Sequence, residues 1–196
     1  TGPGQGSQVG SVFVGGGTPT LLTADQLLCL LEAVRRRYTL LPEAEISLEG
    51  NPGTVTAEQL SALRQGGYNR LSLGVQAVQG RLLQALGRIH NLDQAEKAVH
   101  AARAAGFTNL NVDLMAGLPG QRLEDLMDSV RWAAAQAVTH VSLYSLIVEQ
   151  GTPLLEDVVA GKVVLPTDDE ERSAYHAARQ ALEAAGYARY EISNYA

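Results

Sequence analysis

Three segments of this chain pass from helix to strand in the same way. "LRQGGYNRLSLGVQ", "ARAAGFTNLNVDL" and "LEAAGYARYEISN" each run from a helical pattern through Gly to an aromatic residue, polar residues and an apolar stretch. Glycine just past a helix adopts left-handed backbone without steric cost, so Gly67, Gly106 and Gly186 are expected to end helices. Helix starts recur as well. Thr23 with Gln26, Thr56 with Gln59 and Thr167 with Glu170 have the capping-box spacing, and Asn91 with Gln94 is a weaker version. Apolar residues then follow at helical spacing, as in Leu27, Leu28, Leu31 and Val34, or Ala95, Val99, Ala102 and Ala105. The strands are read at 11–15, 45–49, 70–76, 108–114, 140–148 and 189–194. Six strands alternating with helices predict an α/β chain built on a parallel sheet with right-handed crossovers.

Polar residues decide between an open sheet and a barrel. They stand at the expected strand ends: residues 15–18, Glu49 to Asn51, Gln76, Asp113, Tyr144 with Ser145, and Asn194. A barrel brings all strand C-termini to one mouth, whereas an open sheet uses only those near its switch point. Six units where a full barrel has eight predict a partial, open-sided (β/α)6 barrel.

Composition narrows the function. The chain has 196 residues, 45% of them hydrophobic, enough for one sizeable core. A net charge of −6 argues against non-specific nucleic-acid binding. No run of some 18 apolar residues suggests a transmembrane span, and the polar start "TGPGQGSQ" does not read as a signal peptide. Residues 1–10 are read as a disordered remnant and 11–196 as a core truncated at both ends, a piece of something longer. Cys29 is the one cysteine, so neither a disulfide framework nor a cysteine-built metal site is expected. It is read as a small buried hydrophobe in a helix. His90, His100, His140 and His176 show no metal-ligand spacing. Each is read as a surface or core histidine, with His90 nearest the expected mouth.

The stretch "SVFVGGGTPTLL" places three glycines at the end of a short apolar strand. Glycine loses the most freedom on folding, so either something approaches the bare backbone there or the run is a loose loop. It has neither the Gly-x-Gly-x-x-Gly spacing nor a Gly-Lys-Ser/Thr.

Seven blocks in order carry a resemblance: "GGGTPTLL", "EISLEGNPGTVT", "NRLSLGVQ", "LGRIH", "NVDLMAGLPGQ", "HVSLYSLIVEQGTPL" and "YEISNYA". The chain resembles the radical S-adenosylmethionine enzymes of the coproporphyrinogen-oxidase-like group over nearly all its length after residue 10. "VEQGTPL" and "YEISNYA" are similar to the haem-chaperone (HemW) branch. The oxidase branch typically has Ile-Gly-x-Asp-His-Phe-Ala in place of the latter.

The resemblance implies the radical-SAM partial barrel and ligands for S-adenosylmethionine. Gly16, Gly17 and Thr18 match the turn that holds its methionyl end, and Glu49 matches a carboxylate that contacts it. Gln76, Arg88 and Asp113 match nucleoside-binding positions. Haem or a porphyrinogen is the implied small-molecule partner, with haem-accepting proteins beside it, and the cytoplasm, or an organelle, the implied location. The family's four-iron four-sulfur cluster is held by a Cys-x-x-x-Cys-x-x-Cys loop before "GGGTP", which this chain does not contain. The loop and the first barrel strand are expected upstream, and the chain alone is expected to be inactive. The alternative is an oxygen-independent coproporphyrinogen III oxidase that makes protoporphyrinogen IX by 5′-deoxyadenosyl radical chemistry. A more distant one is an unrelated barrel enzyme using Glu49 and Asp113 for acid–base work.

Overall fold

The computed structural model describes residues 7–196. Six strands are neighbours in chain order in one sheet: β1 (Gln8–Val14), β2 (Thr39–Gly50), β3 (Arg70–Gln76), β4 (Asn109–Ala116), β5 (His140–Ser145) and β6 (Asn194–Tyr195). The helices are α1 (Ala24–Arg37), α2 (Ala57–Gln65), α3 (Gly80–Ala85), α4 (Leu92–Ala104), α5 (Leu123–Ala135), α6 (Pro153–Val159) and α7 (Asp168–Ala184). The chain divides into two compact units. One holds the chain up to Gly74 with Gln94–Asn111; the other holds Val75–Asp93 and Val112–Ala196.

In the first unit β1 pairs parallel with β2 (Val12 opposite Ile46) and β2 parallel with β3 (Leu48 opposite Leu71). Toward its end strand β2 is buried on both sides, Ile46, Ser47 and Leu48 in succession, with Leu71 and Leu73 of β3. Helix α1 starts at a reciprocal capping box on Thr23 and buries Leu27 and Leu31. Helix α2 buries Leu60 and Leu63, and α4 buries Ala95, Ala98, Val99 and Ala102. The aromatic residue after each helix-ending glycine enters the core: Tyr68 and Phe107 are at most 2% exposed. The Tyr68 hydroxyl donates to the Leu27 carbonyl at 2.8 Å, which satisfies its polar end.

In the second unit α5 buries Leu126, Val130 and Ala133, and α7 buries Ala178 and Leu182. Ala77, Leu82, Leu83 and Leu118 form a further buried cluster. Among the described residues no helix is long and apolar enough to cross a membrane.

The expected helix-ending glycines are all left-handed: φ is +110° at Gly67, +92° at Gly106 and +98° at Gly186. Four expectations need correction. Residues 8–10 are part of β1 rather than a disordered remnant, because Gln8 and Val9 pair with Thr39 and Leu40 of the unexpectedly long β2; residues 1–6 lie outside the described chain. The last strand is two residues long and antiparallel, Val141 facing Tyr195 and Ser142 facing Asn194, so the sheet is not wholly parallel. The Arg189 side chain bonds the Glu191 and Ile192 carbonyls, which turns residues 189–193 away from a straight strand. Asp113 does not end a strand, since β4 runs on to Ala116. Cys29 is exposed: it lies roughly 200° around α1 from Leu27, off the face that Leu27 and Leu31 bury.

Candidate functional site

The first unit holds Gly16, Gly17, Thr18 and Glu49. Strand β1 stops at Val14, and the chain turns through Gly16 at φ +90° and Gly17 at φ +62°. Both values lie where side chains are disfavoured. The Gly16 N–H donates to Glu49 Oε2 at 3.0 Å, so the carboxylate near the end of β2 fastens the glycine turn. A Cβ at Gly16 or Gly17 would meet nothing within 4 Å, so the turn borders open space. Gly15 is different. A Cβ there would come within 2.8 Å of Glu49 Oε2 and would collide with the Phe13 ring. Thus the glycine run combines one close-packed position with two conformational ones. Thr18 precedes the 3-10 turn Pro19–Leu21 and makes no side-chain capping bond.

A polar ring that the sequence did not reveal sits behind this turn. The Asn51 N–H donates to Thr20 Oγ1 at 3.2 Å, Thr20 and Thr54 hydroxyls meet at 2.6 Å, and Thr54 Oγ1 donates to the Asn51 carbonyl at 3.0 Å. Each hydroxyl has one proton. Because Thr54 gives its proton to Asn51, Thr20 must be the donor between the two hydroxyls. The bonds therefore run one way around a closed circuit. Gln59 Nε2 adds bonds to the Thr20 and Leu22 carbonyls. Thr20 is 3% exposed and Asn51 8%, so the ring is largely dry. The missed signal was the pair of threonines, each of which passes for an ordinary turn residue.

The second unit holds Gln76, Arg88 and Asp113. Gln76 ends β3 with φ +70°, uncommon for a residue that is not glycine. The Ala77 N–H donates back to the Val75 carbonyl at 2.9 Å, which makes residues 75–77 a γ-turn of the strained, positive-φ kind. Gln76 is 7% exposed. Arg88 follows α3, where Gly87 at φ +62° reverses the chain and the Arg88 N–H donates to the Leu83 carbonyl. His90 then reaches back: its Nε2 lies 3.1 Å from the Val75 carbonyl, and the ring is 4% exposed. A carbonyl can only accept, so Nε2 carries the proton. Burial, with the Arg88 charge nearby, holds His90 below the usual histidine range, although its bond to Val75 works the other way. Asp113 is half-buried between fully buried Val112 and Leu114 and is engaged by a partner.

His100 and His176 are exposed on α4 and α7, and His140 stands edge-on to the Tyr190 ring. Among the described residues no group of three or more His, Cys, Asp or Glu side chains could hold a metal ion. An iron–sulfur cluster requires cysteine thiolates. Cys29, exposed on a helix, gives no such set, so these residues do not fit a cluster.

The Radical SAM superfamily model matches residues 4–133. The haem chaperone HemW of Mycobacterium tuberculosis is 44% identical over 187 residues, 95% of this chain and 48% of that protein. HemW of Escherichia coli is 41% identical over 192 residues, covering 98% of this chain and 50% of its own. The chain thus spans about half the length of these curated relatives. Coproporphyrinogen III oxidase (HemN) from Escherichia coli, a radical SAM enzyme, superposes with a TM-score of 0.84 at 27% identity, over 96% of this chain and 43% of its own. The fold class is therefore α/β, the partial barrel of the radical-SAM type.

Proposed function

The chain belongs to the radical SAM superfamily, and we propose that it is part of a haem-carrying chaperone of the HemW kind. The observation that carries this reading is the 44% and 41% identity to haem chaperones along nearly the whole chain, against 27% for the oxidase. The fold likeness to the oxidase supports the second reading, coproporphyrinogen decarboxylation.

Gly16, Gly17, Thr18 and Glu49 would hold the methionyl end of S-adenosylmethionine. The Glu49 carboxylate spends one lone pair on the Gly16 amide, and its others suit an ammonium group. The open space beside Gly16 and Gly17 lets a ligand lie against bare backbone. In the other unit Gln76, Arg88 and Asp113 offer an amide, a guanidinium and a carboxylate, a set suited to the hydroxyls and carboxylate of a nucleoside ligand. The γ-turn at Gln76 is strain of the sort that marks ligand sites. When bound beside a reduced cluster, S-adenosylmethionine supplies a 5′-deoxyadenosyl radical; none of the described residues fits the cluster, and no step through it is assigned to them. Haem-accepting proteins would be the partners of the full-length protein.

The test sets two assays on the full-length protein side by side. Haemin titration should give a saturable Soret shift, and anaerobic incubation with coproporphyrinogen III, S-adenosylmethionine and reductant should release no carbon dioxide. Decarboxylation without haem binding would replace the chaperone reading with the oxidase one.

A further inference from the structure

We propose that the cleft between the end of β5, the first half of α7 and the C-terminal loop is the seat of the tetrapyrrole. The inference rests on the haem-carrier reading above and adds the place and the contacts. The cleft has a volume of about 610 Å³, within the range of small-molecule sites. Its apolar wall is made by Tyr144, Ile147 and Ile192, which are 43%, 74% and 71% exposed. Exposed apolar side chains gathered on one concave surface mark a binding face. Its fixed part is Tyr175, whose hydroxyl shares its one proton between the Leu143 carbonyl of β5 and the Ile192 carbonyl of the loop, at 3.2 and 3.1 Å. One side chain therefore ties two walls of the cleft together.

Two groups with unspent chemistry line this surface. Arg189 uses Nε on the Glu191 and Ile192 carbonyls, which fixes the guanidinium and leaves both Nη groups for a carboxylate. His176 projects from α7 into the cleft lining, and a neutral imidazole is the commonest protein ligand to haem iron. Of the acidic neighbours, Glu191 accepts from the Ser193 N–H and Asn194 Nδ2 and lies near Arg189, Asp169 pairs with Arg172, and Asp168 and Glu171 line the cleft at the α7 first turn. An apolar wall, a fixed guanidinium and an imidazole on one cleft match an iron macrocycle with carboxylate arms. The names of the relatives point the same way, since haem and coproporphyrinogen share the macrocycle and its carboxylates.

The test is a haemin titration of the full-length protein followed by its Soret band, with Arg189→Gln and His176→Ala. Both side chains lie at an exposed surface, and unchanged circular dichroism checks the fold. Arg189→Gln should weaken haemin at least fivefold and leave its dimethyl ester, which lacks free carboxylates, unaffected. His176→Ala should change the position of the ferric Soret band, the mark of an altered iron ligand. Wild-type binding that neither variant alters overturns the cleft and leaves the haem-carrier reading standing. Failure of the wild type to bind haemin at all overturns that reading itself.

Discussion

His90 donates from Nε2 to the carbonyl of Val75 at 3.1 Å, and that same carbonyl accepts the Ala77 N–H that closes the γ-turn at Gln76. One oxygen thereby joins the turn carrying Arg88 to the strained end of β3. His90→Leu should free both and weaken S-adenosylmethionine binding by the full-length protein several-fold. His90→Gln, whose amide can still donate, should restore most of it. Isothermal titration of both variants checks this, and equal affinities would remove His90 from a positioning role.

The same residue predicts a pH effect. Burial lowers the His90 pKa in the folded chain, so below about 6.5 the unfolded chain binds the proton first. The contribution of His90 to stability is present above pH 6.5 and is lost as the pH falls through the lowered value. Urea unfolding from pH 7.5 to 5 should show less acid destabilisation in His90→Gln than in the wild type.

Glu49 tests the glycine turn. Glu49→Gln keeps an oxygen for the Gly16 N–H but removes the charge. Folding stability should hardly change, while S-adenosylmethionine affinity falls about tenfold, roughly 1.4 kcal/mol. Gly16→Val is a poorer probe, because φ +90° strains a β-branched residue whatever the ligand does.

The threonine ring should respond to the loss of one hydroxyl. Thr20→Val preserves shape but leaves the buried Asn51 N–H without its acceptor. Such an orphaned donor costs about 1–3 kcal/mol. Thr20→Ser should recover most of that, read as the midpoint of a urea transition.

Tyr195 is fully buried, and burial first, then the Tyr175 hydroxyl, pushes its phenol up to about 12. The unfolded chain ionises near 10, so this tyrosine contributes stability below pH 10 that is lost as the pH rises toward 12. Burial raises the Tyr68 phenol as well, so spectrophotometric titration at alkaline pH should show more than one late phenol, of which Tyr195→Phe removes one.

The strand–helix order, the helix starts at Thr23 and Thr167 and the left-handed glycines were legible because each is written locally, in a cap or a required φ. The reversal into antiparallel β6 was not. It depends on the Arg189 side chain folding back on its own loop, which no periodicity encodes. Glu49 and the glycine run were readable as a pair of strand ends, and a direct bond joins them. Gln76 was readable as a polar strand end but not as a γ-turn, since nothing in its neighbours demands positive φ. His90 was readable as a histidine near the mouth but not as a backbone donor, its Nε2 being spent on the Val75 carbonyl. Sequence spacing shows which groups are near, not which of their atoms are already bonded.

The ring of Asn51, Thr20 and Thr54 begins and ends on a single residue, whose amide starts the circuit and whose carbonyl closes it. The loop after β2 is thus measured against the loop after β1 by counting residues, not by matching surfaces. Point changes that keep a hydroxyl leave the count intact. Inserting or deleting one residue between Asn51 and Thr54 would break the return bond from Thr54 to Asn51 and shift its meeting with Thr20. This corner of the chain should drift in composition and hold its length.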